Sequence, residues 1–364
     1  MEYPIRVLCV FSLLDRGGAE SMCMNLYRRI DHSKIQFDFV KHGPQKGAFE
    51  EEIHSLGGRI YEAPRYQIYN HQFYCTWWKQ HLEDHPEHQI IHGHYYSVSA
   101  VYFKVAHEMG RITVGHSHST SVSGPNWWET QLKRMLCKGV ERQADYCLAC
   151  SKAAGQWLFP HKEFTVLPNA VDAERFSFNP RIAQEVRCEL SLGDHYVVGT
   201  VGRIVQVKNP MGIVEIFKAL CHKEPNARLL WVGDGALREG AENALALAGL
   251  SDRVVFTGVR SDVDRMMQAM DVFILPSFFE GLGMVLIEAQ AAGLPCLSSE
   301  EVPREADITG RCEFLPLQRP ELWAERILAA PRDRPHTIEA ICQAGYDIKT
   351  SAKWLENFYM DCLK

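Results

Sequence analysis

Asp271-Val-Phe-Ile-Leu-Pro-Ser-Phe-Phe-Glu-Gly-Leu-Gly-Met-Val-Leu-Ile-Glu-Ala-Gln-Ala-Ala-Gly293 is the stretch on which the fold reading turns. The apolar run Asp271–Leu275, closed by Pro276, predicts a buried strand, and the apolar, alanine-rich segment from Met284 predicts a helix. Between them lies a turn with Gly281 and Gly283. A strand, a glycine turn and a helix start leave unpaired N–H groups at the positive end of a helix dipole, which suits phosphate. Glu280 falls in the turn and Glu288 in the second helical turn, roughly 6 to 8 Å further along the axis at 1.5 Å per residue. Carboxylates beside a phosphate site suit hydroxyl groups on either side of it, as in a nucleotide sugar.

The same pattern precedes this stretch three times. Tyr196–Val201 predicts a strand ending in Gly202-Arg203, with Lys208-Asn-Pro opening a helix. An arginine and a lysine at one strand-to-helix turn suit a diphosphate, the first as a fork and the second as a point charge. Leu229–Val232 runs into Gly233-Asp-Gly235, and Arg253–Phe256 into Thr257-Gly-Val259. Four strand ends therefore present glycine or polar turns on one edge. Asp262-Val-Asp264 has the D-x-D form of a metal–nucleotide motif, but acids at a helix start are favoured by the dipole alone, and it is read that way.

The N-terminal half alternates strand and helix in the same manner. Pro4–Ser12 predicts a parallel-sheet strand, and Gly17-Gly-Ala-Glu20 opens a helix to about Asp31; lacking G-x-G-x-x-G, the turn makes no dinucleotide fingerprint. Two later strands end in His92 and His94 and in His116 and His118. Four imidazoles at the ligand-binding edge of an α/β sheet suit hydrogen bonding or proton transfer near neutral pH. No acidic or cysteine ligand sits with them at metal-motif spacing, so no metal is expected. The alternation breaks at 168–176, followed by polar, proline-containing sequence. This sets an N-terminal domain at 1–170, a second at 171–345 and a closing amphipathic helix within 346–364 that packs back towards the first.

Composition excludes several classes. The 364 residues carry 39 Lys and Arg against 45 Asp and Glu, a net charge of −6, without the basic excess of a nucleic-acid binder. Residues 1–170 hold 18 basic and 17 acidic side chains, so the deficit lies in the second half. No run approaches the roughly 20 apolar residues of a membrane span and no signal peptide is evident, so the expected location is the cytoplasm. Twelve cysteines are scattered without a framework, and Cys147 and Cys150, the one C-x-x-C, lie in a strand-like run as core thiols. Residues Asn126–Arg142 predict an amphipathic helix with Trp127, Trp128, Lys133, Arg134 and Lys138. It reads as a core-facing helix with a solvated basic face, with a peripheral contact to the inner membrane surface as the alternative.

Taken together, Gly17-Gly18, His116-Ser-His118, Ala149-Cys-Ser-Lys152, Asn169 with Asp172 and Phe176, Val201-Gly-Arg203 with Lys208-Asn209, Gly233-Asp-Gly235, Phe256-Thr-Gly258 and Glu280-Gly-Leu-Gly…Glu288-Ala resemble family 4 glycosyltransferases. Within that family they resemble bacterial exopolysaccharide and capsule-assembly enzymes that use UDP-sugars. The resemblance covers nearly the whole length. It implies a GT-B fold, two Rossmann-like domains facing each other across a cleft, and retaining, metal-independent transfer of a hexosyl group to a saccharide acceptor, lipid-linked in polysaccharide assembly. Arg203 and Lys208 would bind the donor diphosphate, helped by Gly202, Gly233, Gly235 and Val259 and by the backbone of Gly281, Leu282, Gly283 and Met284. Glu280 would hold sugar hydroxyls and Glu288 the ribose. His118, with His116 as second candidate, would contact the donor sugar, and Gly17-Gly18 would face diphosphate and acceptor. The rival readings are another GT-B nucleotide-sugar enzyme such as an epimerase, and a non-catalytic nucleotide-binding scaffold of polysaccharide assembly.

Overall fold

Near-continuous runs of Val, Ile, Leu and Phe, too apolar for a strand with one wet face, form parallel strands covered on both sides. The computed structural model describes residues 4–15, 17–119 and 127–364, without the side chains at 96–97, 128–130 and 132–134. The chain divides into two units, Met1–Ala170 with Ile348–Lys364, and Val171–Asp347.

In the first unit seven parallel strands are β1 (Ile5–Val10), β2 (Ile35–His42), β3 (Ile60–Ala63), β4 (His88–Gly93), β5 (Ile112–Ser117), β6 (Tyr146–Ala149) and β7 (Thr165–Val166). Their spatial order is β3-β2-β1-β4-β5-β6-β7. One face of the sheet packs a core including Val7, Phe37, Ile90 and Val114, and the other a core including Leu8, Val40, Trp78 and Ile91. The first of these cores is completed by Ile348, Ala352, Leu355 and Tyr359 of the C-terminal helix Ile348–Cys362.

The second unit holds β8 (Tyr196–Val201), β9 (Ala227–Val232), β10 (Val254–Gly258), β11 (Val272–Leu275), β12 (Cys296–Ser299) and β13 (Cys312–Leu315), in the order β10-β9-β8-β11-β12-β13. Counted from its own first strand, each sheet reads 3-2-1-4-5-6, with a seventh strand added in the first unit. In such doubly wound sheets ligands bind outside the carboxyl ends of the strands where the order reverses. That point lies between β1 and β4 in one unit and between β8 and β11 in the other.

The sequence assigns no element to one segment, and one predicted helix ends earlier than expected. The polar segment after Phe176 contains a helix, Pro180–Glu189, whose Asn179 side chain accepts from the amides of Arg181 and Ile182 and whose narrow apolar face buries Ala183 and Val186. A proline in the first turn starts such a helix and does not break it. The tryptophan-bearing helix spans Trp127–Lys138, and Gly139 separates it from a short helix, Val140–Gln143. Trp127 is exposed; the side chains of Trp128, Lys133 and Arg134 lie outside the described residues. Among the described residues no helix is long and apolar enough to cross a membrane.

Candidate donor site and histidine cluster

The loops that leave β8, β9, β10 and β11 are tied to one another by their backbones. The amide of Gly202 donates to Val232 O, that of Ile204 to Asp234 O, and that of Gly233 to Gly258 O, at 2.8 to 2.9 Å. Two positions here admit only glycine. Gly233 has φ +133, and a Cβ on it would stand 2.0 Å from the carbonyl oxygen of Gly202; a Cβ on Gly235 would meet Ile204 O at 2.4 Å. The glycine pair seen in the sequence thus closes the β8 and β9 loops against each other. Val259, just beyond β10, is exposed.

Across the β8/β11 switch the two charged loops meet. The amide of Phe278 donates to Val207 O at 2.8 Å, and Lys208 Nζ lies 2.6 Å from Glu280 Oε1. Ser277 Oγ donates to the same oxygen at 2.7 Å. Ser277 is itself buried and held by Ser299, whose hydroxyl donates to Ser277 O. Glu280 is therefore pinned through one oxygen, and among the described residues its Oε2 has no partner. Asn209, buried and left-handed at φ +54, caps the Pro210–Lys223 helix by accepting from Gly212 N and thereby fixes the course of the chain just after Lys208. Arg203 is exposed at the loop tip.

The Met284–Ala291 helix begins at Gly283, left-handed at φ +84. Apart from Leu286, whose amide donates to Gly283 O at 2.8 Å, its first-turn N–H groups have no carbonyl one turn earlier to bond, and they carry the positive end of the dipole. Gly281 is exposed and a Cβ there would meet nothing within 4 Å, so the turn is open to a ligand. Glu288 follows in the second turn, half-buried and without a hydrogen-bond partner among the described residues. Burial pushes its carboxyl up to about 7, against a smaller opposing pull from Arg175. The two acids of D-x-D are occupied, Asp262 by a two-pronged bond from Arg260 and Asp264 by Arg175 at 2.6 Å. That agrees with their reading as helix-start acids.

In the first unit His92 and His94 at the end of β4 and His116 and His118 at the end of β5 form a two-by-two stack. His92 Nε2 lies 3.2 Å from His116 Nδ1, and His94 Nδ1 lies 2.8 Å from His118 Nε2. Ring centroids are 4.2 Å apart between His92 and His94 and 4.1 Å between His116 and His118, since alternate residues of a strand share a face. His92 Nδ1 is bonded to Tyr359 Oη of the C-terminal helix at 2.5 Å. Burial keeps all four rings neutral: it drives His92 and His118 down to about 3, and His94 and His116 well below the ordinary value. His116 is enclosed, whereas His118 is partly open to solvent. Cys9 of β1 lies beside His92 and His94. Parallel pairing of β1 with β4 puts it there, which residue spacing along the chain does not reveal. At the end of β1, Gly17 is the N-cap of the Gly18–Tyr27 helix with an ordinary φ of −86, and a Cβ on Gly18 would meet nothing within 4 Å. Neither glycine is forced by backbone conformation; Gly18 leaves space on its outer side.

Both halves match known families. The model of "Glycosyl transferases group 1" matches residues 184–337, and that of "Glycosyltransferase Family 4" matches residues 16–175. Over 368 aligned residues the chain is 33% identical to the putative glycosyltransferase EpsF of Bacillus subtilis (strain 168), covering 97% of this chain and 96% of that one. The chain belongs to glycosyltransferase family 4. The transferase also shares 35% identity over 143 residues with an Escherichia coli UDP-Gal:alpha-D-GlcNAc-diphosphoundecaprenol alpha-1,3-galactosyltransferase, 38% of this chain and 36% of the relative. The crystal structure of Anabaena HepE in complex with UDP and glucose aligns with a TM-score of 0.72 at 18% identity, covering 98% and 99% of the two chains. At that identity the likeness concerns the fold, which is the GT-B fold of two Rossmann-like sheets.

Within the transferase, Gly202, Arg203, Lys208, Gly233, Gly235, Glu280–Met284 and Glu288 all fall on one edge of the second sheet, and His116, His118 and the Gly17-Gly18 turn on the corresponding edge of the first. Sequence reading placed Asn209 at a helix opening but gave no role to it, and did not single out Ser277 or Tyr359. The Asn-Pro helix opening carried a signal for Asn209, since asparagine is a favoured cap before a first-turn proline. Nothing in the sequence marks Ser277 or Tyr359, whose partners are set by tertiary packing.

Proposed function

We propose that this enzyme transfers a hexosyl group from a UDP-sugar to a lipid-linked saccharide, with retention of anomeric configuration and without a metal, in polysaccharide biosynthesis. The observation that carries the donor assignment is that Arg203, Lys208 and the start of the Met284–Ala291 helix all lie at the β8/β11 switch. Fixed positive charge and aligned N–H groups are what a departing nucleoside diphosphate requires as its negative charge develops. Arg203 and Lys208 take the diphosphate together with the backbone of Gly281, Leu282 and Gly283. Glu280, anchored through Oε1, offers Oε2 to sugar hydroxyls, and Glu288 accepts from the ribose. In the first unit His118, the more open of the β5 histidines, is assigned to the transferred sugar and the Gly17-Gly18 turn to the acceptor side.

A retaining hydrolase sets two carboxylates about 5 Å apart with one free to attack. Glu280 is instead held by Lys208 and Ser277, and Glu288 sits within a helix. Neither serves as nucleophile, and the leaving diphosphate takes the acceptor proton. The lipid-linked acceptor is suggested by what the E. coli relative is named for, and exposed Trp127 and Met135 offer a surface for peripheral contact with the inner membrane face.

The test is transfer from a panel of labelled UDP-sugars to polyprenyl-diphosphate-linked sugars, with product anomers assigned by NMR. One UDP-sugar should give an α-linked product from its α-donor, and Lys208→Ala should abolish it. Inverted product, a covalent glycosyl-enzyme on either glutamate, or epimerised donor in the absence of acceptor would each overturn part of this reading.

A further inference from the structure

The histidine cluster contains more nitrogen donors than its hydrogen bonds use. Among the described residues His116 Nε2 is buried with no partner. In a protein interior such an atom is normally satisfied. One ring nitrogen from each of His94, His116 and His118 lies within 4.8 Å of those of the other two.

We propose that His94, His116 and His118 form a binding site for a divalent transition-metal ion of the zinc or cobalt class. Imidazole nitrogens are favoured ligands of such ions, and a three-histidine set leaves a fourth position for water or another ligand. His94 Nδ1 and His118 Nε2 already face one another at 2.8 Å, where in neutral rings one proton lies between two nitrogens. The ion takes the place of that proton once the His118 tautomer moves its hydrogen to Nδ1. His116 supplies Nε2. Its Nδ1–H then donates to His92 Nε2, and the Nδ1–H of His92 donates to Tyr359 Oη, the outer hydrogen bonding that orients metal-binding histidines.

A small cavity borders His92, His94 and His116. The adjustment needed is a fanning of the His116 and His118 stack: zinc–nitrogen distances of about 2.1 Å put ligand atoms roughly 3.4 Å apart. Cys9 neighbours His92 and His94 but does not fall in the set that His94 forms with His116 and His118.

An ion bound to His118 withdraws that residue from the transferred sugar, so it inhibits transfer. This consequence rests on the proposed role of His118; the binding itself does not. The experiment uses the full chain stripped with chelator and titrated with Co²⁺, followed by its visible absorption, and with Zn²⁺ by equilibrium dialysis, with UDP titrated into the same samples. Expected are one equivalent of metal, tetrahedral Co²⁺ bands, a loss of affinity of at least about tenfold in both His94→Gln and His116→Gln, and no change in the exposed control His161→Gln. Less than a stoichiometric amount bound by the unaltered chain, or equal binding by the folded histidine variants, overturns the site. UDP binding without metal binding would sink this inference alone; failure of UDP to bind would sink the donor assignment instead.

Discussion

Glu288→Gln separates what this residue does for the ligand from what it costs the fold. Burial raises the carboxyl from the usual 4.5 to about 7. A folded-state value above the unfolded one means that the folded state holds its proton more tightly. The associated stability is fully present below about pH 4.5 and is lost as pH rises through 7. At 1.36 kcal/mol per unit, ionised Glu288 costs the second unit at most about 3 kcal/mol at pH 8.5. The side chain keeps part of its hydration and a glutamine amide must also be desolvated, so a gain of about 1 to 2 kcal/mol is expected in Glu288→Gln. For a unit of this size that is roughly 2 to 8 °C in melting temperature. Calorimetric melting at pH 8.5 and at pH 4.5 measures it, and the gain should shrink towards zero at the lower pH. In the same variant UDP affinity should fall, because glutamine offers the ribose one weaker acceptor. No stabilisation at pH 8.5, or an equal gain at both pH values, would refute the claim that an unpaired, buried ionisation is the origin. Unchanged UDP affinity would remove Glu288 from the donor site.

Other expectations follow from single contacts. Lys208→Ala removes both a phosphate ligand and the partner of Glu280, and should weaken UDP binding by about 1.5 to 3 kcal/mol, the value of a charge-assisted hydrogen bond, by titration calorimetry. Gly233→Ala places a Cβ against Gly202 O at a φ that only glycine adopts freely, and should lower the unfolding free energy of the second unit by about 3 kcal/mol or more in urea. Arg6→Leu strands Asp38, which is fully buried and bonded to both Arg6 and His88; a loss of about 3 to 5 kcal/mol of first-unit stability is expected by the same measurement. Transfer rates in wild type should rise with pH through about 7 at subsaturating donor as Glu288 ionises, and this limb should be absent in Glu288→Gln.

Strands and donor turns were legible because buried parallel strands leave a plain signature, apolar runs ending in Gly202, Gly233, Gly258 and the Pro276 turn. Once those ends were aligned on one edge, the site residues between them followed. The Pro180–Glu189 helix was not legible: it buries only a narrow face, and its mean composition is that of a linker. Contacts that tune the site were hidden for a different reason. Lys208 and Glu280 are 72 positions apart, and His92 and Tyr359 are 267 apart, so no local pattern links them. The altered acidity of Glu288 likewise depends on burial, which periodicity does not measure.

The closing helix also bears on how this protein is made. Its Ile348, Ala352, Leu355 and Tyr359 fill a core whose other members precede residue 171. A ribosome that has finished the first 170 residues has therefore not yet released everything that sheet needs. At that moment Met22, Phe37 and neighbouring apolar groups await a cover that emerges only after the whole second unit has been synthesised. The nascent chain thus passes through a stage in which its earliest domain is apolar on one side and suited to a chaperone. Separating the units by cutting near residue 170 gives a fragment in the same condition, and supplying residues 348–364 as a fused or added peptide is the natural remedy.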